Sequence, residues 1–263
     1  MADLSGKTAF ISASTAGIGY ATASALAARG AEVFVNGRTQ ERVHDAVERL
    51  CRDVKGCTVA GIAADLATPE GAAQVIDNIG AVDILVNNLG ATRHAPFADT
   101  SDSDWEWHFQ VNVMSGVRLT RAFLPRMVKS GWGRIVFVSS VNAVAVASGM
   151  IPYSACKAAI CNVARGIAEE SAGTGVTANS ILVGATRSEG LGGYFEREAV
   201  QLGVSFEDFE QEFFAKHAPT SLLKRLIKPG EVAHLVTALC APEGQAINGA
   251  ALRVDGGVVR HVF

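Results

Sequence analysis

Short apolar runs rich in valine and isoleucine alternate along this chain with alanine-rich stretches of helical character, and no other feature restricts its fold as strongly. The first unit reads Ala9-Phe10-Ile11, the small-residue segment Ser12-Ala13-Ser14-Thr15-Ala16-Gly17-Ile18-Gly19, a helical stretch over residues 20–28 closed by Gly30, and then Glu32-Val33-Phe34-Val35. Apolar runs recur at Ile84-Leu85-Val86, Arg134-Ile135-Val136-Phe137-Val138 and Thr177-Ala178-Asn179-Ser180-Ile181-Leu182. Strands joined through helices run parallel, and a parallel sheet needs cover on both faces. The chain is therefore predicted to be α/β, a doubly wound parallel sheet with helices on both faces. At 263 residues, with 49% hydrophobic content and 27 glycines, it is expected to form one domain over 1–263 rather than two.

The small-residue segment between the first strand and the first helix is a turn of the Rossmann type, which rests a pyrophosphate on a helix N-terminus. Gly17 and Gly19 let the backbone approach phosphates and let the helix pack closely on the sheet. A tight strand-to-helix loop with no ligand is the alternative. Cofactor choice is read at the end of the second strand, where a site preferring NAD places a carboxylate on the ribose 2′-hydroxyl. Here the residues are Asn36-Gly37-Arg38-Thr39. Arg38 presents a fork of donors suited to a 2′-phosphate and Thr39 adds a hydroxyl, so NADP(H) is expected. NAD(H) is the alternative, with Arg38 then a loop charge stacked on adenine.

Further along, Tyr153 and Lys157 stand four residues apart in Tyr153-Ser154-Ala155-Cys156-Lys157. A helix puts both on one face, a turn apart. An ammonium beside a phenol favours the phenolate, drawing a group that ordinarily titrates near pH ~10 towards neutrality. Ser140, at the end of an apolar run, offers a hydroxyl to a reacting carbonyl oxygen. The three together point to proton transfer coupled to chemistry at a carbonyl or alcohol. Singly, each also reads as structure: a helix-surface pair, and a serine closing a strand.

With the glycine turn, Asn87-Asn88-Leu89-Gly90, Asn112, Ser140, Tyr153 and Lys157 in this order, the chain resembles the short-chain dehydrogenase/reductase family from about Leu4 to Gly257. The resemblance implies an active oxidoreductase with a catalytic tetrad of Asn112, Ser140, Tyr153 and Lys157. In it Ser140 polarises the carbonyl, Tyr153 exchanges the proton, Lys157 biases the phenol and holds the nicotinamide ribose, and Asn112 positions a water. It also implies cofactor contacts from Ala13, Ser14, Thr15, Gly17, Ile18, Gly19, Gly37, Arg38, Thr39, Asp65, Leu66, Asn88, Gly90, Tyr153, Lys157, Val183, Gly184, Thr186 and Ser188, and no metal. A homodimer or homotetramer is implied on the same ground. Three positions depart from the family pattern: Ser12-Ala13 replaces Thr-Gly, Leu89 replaces a small residue, and Val183-Gly184 replaces Pro-Gly. The Ala13 methyl is expected to crowd a position suited to unusual dihedrals and to weaken or displace the cofactor.

Residues 187–226 resemble the family's substrate lid. Glycines at 190, 192 and 193 are candidate hinges, and Phe206, Phe209, Phe213 and Phe214 recur at helical spacing. The alternative is that the phenylalanines anchor a surface helix to the body or to another subunit. An apolar lid, with residues 143–150, points to a hydrophobic or alicyclic substrate. His94, just past Gly90, falls in a loop that faces substrate or solvent. The same scaffold hosts epimerases and dehydratases, and a non-enzymatic dinucleotide sensor is a further alternative, disfavoured by an intact tetrad. Net charge is −3 with no basic stripe, which argues against nucleic acid. No long apolar run or leader is evident, so neither membrane span nor secretion is expected. Cys51, Cys57, Cys156, Cys161 and Cys240 lack metal-type spacing and read as reduced thiols of a cytoplasmic protein.

Overall fold

The computed structural model describes residues 4–262. Its first half runs β1 (Thr8–Ile11), α1 (Gly17–Ala27), β2 (Glu32–Gly37), α2 (Gln40–Asp53), β3 (Val59–Ala63), α3 (Pro69–Ile79) and β4 (Ile84–Asn87). It continues with α4 (Asp102–Phe109), a π-helical turn (Gln110–Met114), α5 (Ser115–Ser130), β5 (Gly133–Ser140), α6 (Ile151–Glu170) and β6 (Val176–Val183). Then come α7 (Glu189–Leu202), α8 (Phe206–His217), α9 (Pro229–Cys240) and β7 (Ala251–Val254). The seven strands form one sheet in the order β3-β2-β1-β4-β5-β6-β7, and every pairing is parallel.

Strand order reverses direction between β1 and β4. At such a switch point the connections leave to opposite sides, and a crevice opens beyond the carboxyl ends of the two strands. Ser12 and Asn88 follow those two ends directly.

Alternation along the strands splits the core into two layers. Ala9 and Ile11 face a cluster shared with Leu26 of α1 and Val232, Val236 and Leu239 of α9. Phe10 between them faces the other side, with Val75 of α3, Phe123 of α5 and Ile160 of α6. In β5, Val136 and Val138 join the first layer while Ile135 and Phe137 join the second. Helix α2 follows the same logic, burying Val43, Ala46 and Leu50 at helical spacing behind the Thr39 cap.

Helices α7 and α8 form an arm with a core of its own. Phe195, Phe214 and Leu226 are buried there, and Phe206, Phe209 and Phe213 pack against them. Phe195 meets the Phe209 ring edge-on at 5.1 Å and the Phe213 ring at 4.7 Å. The apolar spacing read from the sequence is thus used to hold α7 on α8, which removes the phenylalanines as evidence for an apolar substrate. No helix among the described residues is long and apolar enough to cross a membrane.

Candidate active site

The turn after β1 is built by polar side chains that bond to backbone. The Ser12 hydroxyl accepts from Asn88 N at 2.8 Å and from Leu89 N at 2.9 Å, joining the ends of β1 and β4. The Asn88 amide returns two bonds of 3.0 Å to the carbonyls of Ser12 and Ala13. The buried Ser14 hydroxyl donates to Ile11 O at 2.7 Å and accepts from Asn36 N at 2.9 Å. Asn36 accepts from Ala13 N at 3.1 Å and donates to the carbonyls of Ile62 and Ala64, so its side chain spans the ends of β1, β2 and β3. Arg49 of α2 donates to Thr15 O at 2.6 Å and stacks over the Tyr20 ring. Ser14 and Asn88, both sequence candidates for cofactor contact, therefore have their side-chain groups engaged in shaping the turn.

This mesh holds Ala13 at a φ of +50°. A left-handed backbone at a residue with a Cβ costs about 1–2 kcal/mol, here opposed by the bonds to Asn36 and Asn88. A Cβ on Gly19 would lie 2.6 Å from Ala13 O and 2.7 Å from the Asn88 amide, so only glycine lets α1 start so close to the turn. Ala16, which precedes α1, gives no side-chain cap, and the first turn carries no acid. In α2, α3, α7 and α8, by contrast, Thr39, Thr68, Ser188 and Ser205 cap the helix and an acid follows. The first-turn N–H groups of α1 are left to face the crevice without a side-chain acceptor.

At the carboxyl end of β2, Arg38 is exposed and forms no hydrogen bond or ion pair with other described residues, while Thr39 caps α2 by accepting from Arg42 N. Asp65 accepts from Ala67 N at 3.0 Å in the turn before α3, and the cap of that helix is Thr68 rather than Asp65. The Leu66 side chain is buried in the core. Gly184 is packed 3.0 Å, measured from a notional Cβ, against the backbone of Asp255. Thr186 donates to Gly184 O at 3.0 Å, and Ser188 caps α7.

The residues expected to do acid/base work meet at the end of β5. Tyr153 and Lys157 lie on α6, whose first turn follows the loop after Ser140. Lys157 is buried and its Nζ donates to Val138 O at 2.9 Å. A Cβ on Gly90 would sit 2.7 Å from that Nζ and 3.1 Å from Asn112 Oδ1, so Gly90, Asn112 and Lys157 converge on one point beside β4. The Ser140 hydroxyl accepts from Asn142 N at 3.2 Å, which leaves its own hydrogen to donate. Asn112 sits in the π-helical turn, an irregularity common at functional sites. Its amide donates to Ala91 O and His108 O and its carbonyl accepts from Ala91 N, fixing the loop after Gly90. His108 holds that loop as well, its Nε2 accepting from Arg93 N at 3.2 Å.

One electrostatic expectation is overturned. Burial pushes the Tyr153 phenol above its ordinary value, and a hydrogen bond with Ser140 opposes that rise without cancelling it. Lys157 does not reverse the shift, because its Nζ is turned to the Val138 carbonyl and lies 5.5 Å from the tyrosine ring centre. Burial lowers Lys157 itself to about 8, opposed by Cys156 and Cys161.

Ser12, Asn36, Arg49 and His108 carry much of this construction and were not singled out from the sequence as site residues. The available signal was weak: a serine or asparagine at a strand end reads as ordinary turn chemistry until its distant partners are known.

A family model described as short chain dehydrogenase matches residues 7–199. The chain belongs to the short-chain dehydrogenase family. Among family relatives, the uncharacterized oxidoreductase YvaG of Bacillus subtilis is 42% identical over 261 residues, covering 99% of both chains. D-beta-hydroxybutyrate dehydrogenase of Cupriavidus necator is 32% identical, covering 97% of this chain and 99% of that protein. The crystal structure of L-sorbose reductase from Gluconobacter frateurii, complexed with NADPH and L-sorbose, matches with a TM-score of 0.92 at 30% identity over 99% of each chain. This short-chain dehydrogenase is thus an oxidoreductase with a nucleotide-binding fold.

Proposed function

We propose that the protein is an NADP(H)-dependent oxidoreductase that interconverts a carbonyl and a secondary alcohol, with Tyr153 as the acid/base group. The observation that carries this reading is the convergence of Ser140, Tyr153 and Lys157 at the crevice mouth, where Gly90 brings backbone against the Lys157 ammonium. The chain fits a dinucleotide in two ways: the first turn of α1 has uncapped N–H groups behind a glycine-lined approach, and Arg38 stands unpartnered where a carboxylate would favour NAD. That L-sorbose reductase binds NADPH on so similar a scaffold is in keeping with this choice. Residues of the turn at 13–19, with Arg38, Thr39, Asn88, Gly90, Gly184, Thr186 and Ser188, would hold the dinucleotide, several of them through backbone alone. A bound nicotinamide supplies or accepts the hydride.

Ser140 donates its hydroxyl hydrogen to the substrate oxygen and steadies the charge that grows there. Tyr153 gives up its proton to the same oxygen in reduction and takes it back in oxidation. A phenol held above its ordinary value by burial starts as the neutral acid, the form that carbonyl reduction requires. Lys157, anchored by Val138 O one helical turn beyond Tyr153, is the residue proposed to hold the nicotinamide ribose. Helices α7 and α8, packed on each other through their own phenylalanines, are the proposed substrate lid.

The test is NADPH consumption over a panel of ketones, keto-acids and ketoses with a labelled hydride followed into product. Transfer of the label to substrate is expected; label retained in the cofactor would mean a non-redox reaction. Tyr153→Phe should lower kcat by about 10²–10⁴-fold while leaving the NADPH dissociation constant unchanged. A mutant that turns over normally removes Tyr153 from the mechanism.

A further inference from the structure

The first turn of α7 is tied across the phosphate turn to α2. Ser188 accepts from Leu191 N at 3.2 Å, and a Cβ on Gly17 would lie 3.6 Å from the Ser188 Cβ, so α7 begins directly against that turn. The next residue, Glu189, forms an ion pair with Arg42 in the first turn of α2. Thr15, Ala16, Arg42 and Glu189 line one cleft of about 490 Å³, which places the ion pair beside the turn itself. The two ends of the pair differ in anchorage. Helix α2 is fastened to the turn by Arg49, which bonds to Thr15 O, and to α1 by the Arg49 stack on Tyr20 and the Tyr20 hydroxyl on Asp53 at 3.0 Å. Helix α7 is fastened chiefly to α8. Arg42 is thus on the more firmly anchored side of the pair and Glu189 on the less anchored side.

We propose that the Arg42–Glu189 pair is a brace that holds the start of the α7–α8 arm against the phosphate turn and so slows the departure of a bound dinucleotide. This rests on the reading of the turn as a dinucleotide site. Both side chains are more than half exposed, 51% and 64%, so the pair is screened by salt and breaks and re-forms readily. Its effect is on the rate of release, and both residues are positioning residues that act through the arm.

The measurement is stopped-flow release of NADPH and, separately, NADH, followed by cofactor fluorescence at low and high salt. Glu189→Gln is the decisive variant. Removing a carboxylate near a phosphate-rich ligand relieves repulsion and by itself slows release, whereas loss of the brace speeds it. The brace predicts release faster by roughly two- to fivefold for both cofactors at low salt, shrinking as salt rises. Arg42→Gln combined with Glu189→Gln should be no faster than the single variants, and the exchange Arg42→Glu with Glu189→Arg should return release towards the wild-type rate. Unchanged or slower release from Glu189→Gln, or additive effects in the double variant, overturns the brace alone. A wild-type protein that binds neither cofactor overturns the dinucleotide reading and the brace with it.

Discussion

Phe123 and Phe195 are both fully buried phenylalanines, yet their surroundings differ in scale. Phe123 sits in a cluster that joins β1, β4, β5 and β6 to α3, α5 and α6. Phe195 sits in a cluster whose other buried members are Phe214 and Leu226. The sheet body is therefore expected to unfold as one cooperative unit, with the α7–α8 arm a satellite joined to it by few bonds. Those bonds include Arg187 N to Ile227 O and Ile227 N to Ala185 O, both 2.9 Å, and the Arg42–Glu189 pair. Exposed Val200 and Leu202 on α7 show how little of the arm is covered by the body. Equal burial does not mean equal weight in global stability, because what unfolds together depends on how far the contacts extend.

The most direct way to break this comparison is to truncate one phenylalanine from each region. Phe123→Ala is expected to lower global stability by about 3–5 kcal/mol, seen as a lower midpoint in denaturant. Phe195→Ala removes a similar area but should act locally: faster amide exchange and proteolysis in residues 189–217, with the main transition little moved. If both variants shift the main transition equally, the arm is part of the body.

The body alone should carry an alkaline dependence. Lys157 titrates at about 8 in the folded protein against an ordinary value of 10.5, so between those limits the unfolded chain binds more protons. Stability therefore rises with pH through that window and bears the full burial penalty, roughly 3 kcal/mol, below it. Lys157→Met should flatten the profile between pH 8 and 10.5; a slope that survives the substitution belongs to another group. Exchange rates in the arm should not follow this profile.

A smaller effect is expected at the rim of the body. Arg38→Asp should lower the NADP-to-NAD ratio of kcat/KM by about tenfold or more, the loss of a charge-assisted contact worth roughly 1.5–3 kcal/mol. An unchanged ratio would exclude Arg38 from phosphate recognition. Least of all, Ala13→Gly should relieve the left-handed strain at a gain of about 1 kcal/mol or less, with NADPH bound at least as tightly. Clear loss of cofactor affinity on titration would mean that the Ala13 methyl is itself part of the binding surface.

The parallel sheet and the helices on both its faces were legible in the alternating runs, as were the glycine turn and the helical placement of Tyr153 beside Lys157. Ala13 was legible as a residue in an unusual position, and its φ of +50° bears this out. The π-helical turn at Asn112 was not, because its irregularity leaves no mark in local composition. Nor was the use of the phenylalanines after Gly203, since helical spacing describes a face and not the surface it meets.

Period and propensity are properties of neighbouring residues, so the order of strands and helices and the positions of Ser140, Tyr153 and Lys157 along them were determined by the sequence itself. Which polar groups remain free was decided only by the tertiary structure. Ser12 bonds to Asn88, 76 residues away, and Asn36 reaches both Ala13 and Ala64, engaging groups that a linear reading leaves available for a ligand. The upward shift of Tyr153 was decided in the same way, because desolvation depends on every atom packed around the phenol while spacing records only the lysine one turn ahead.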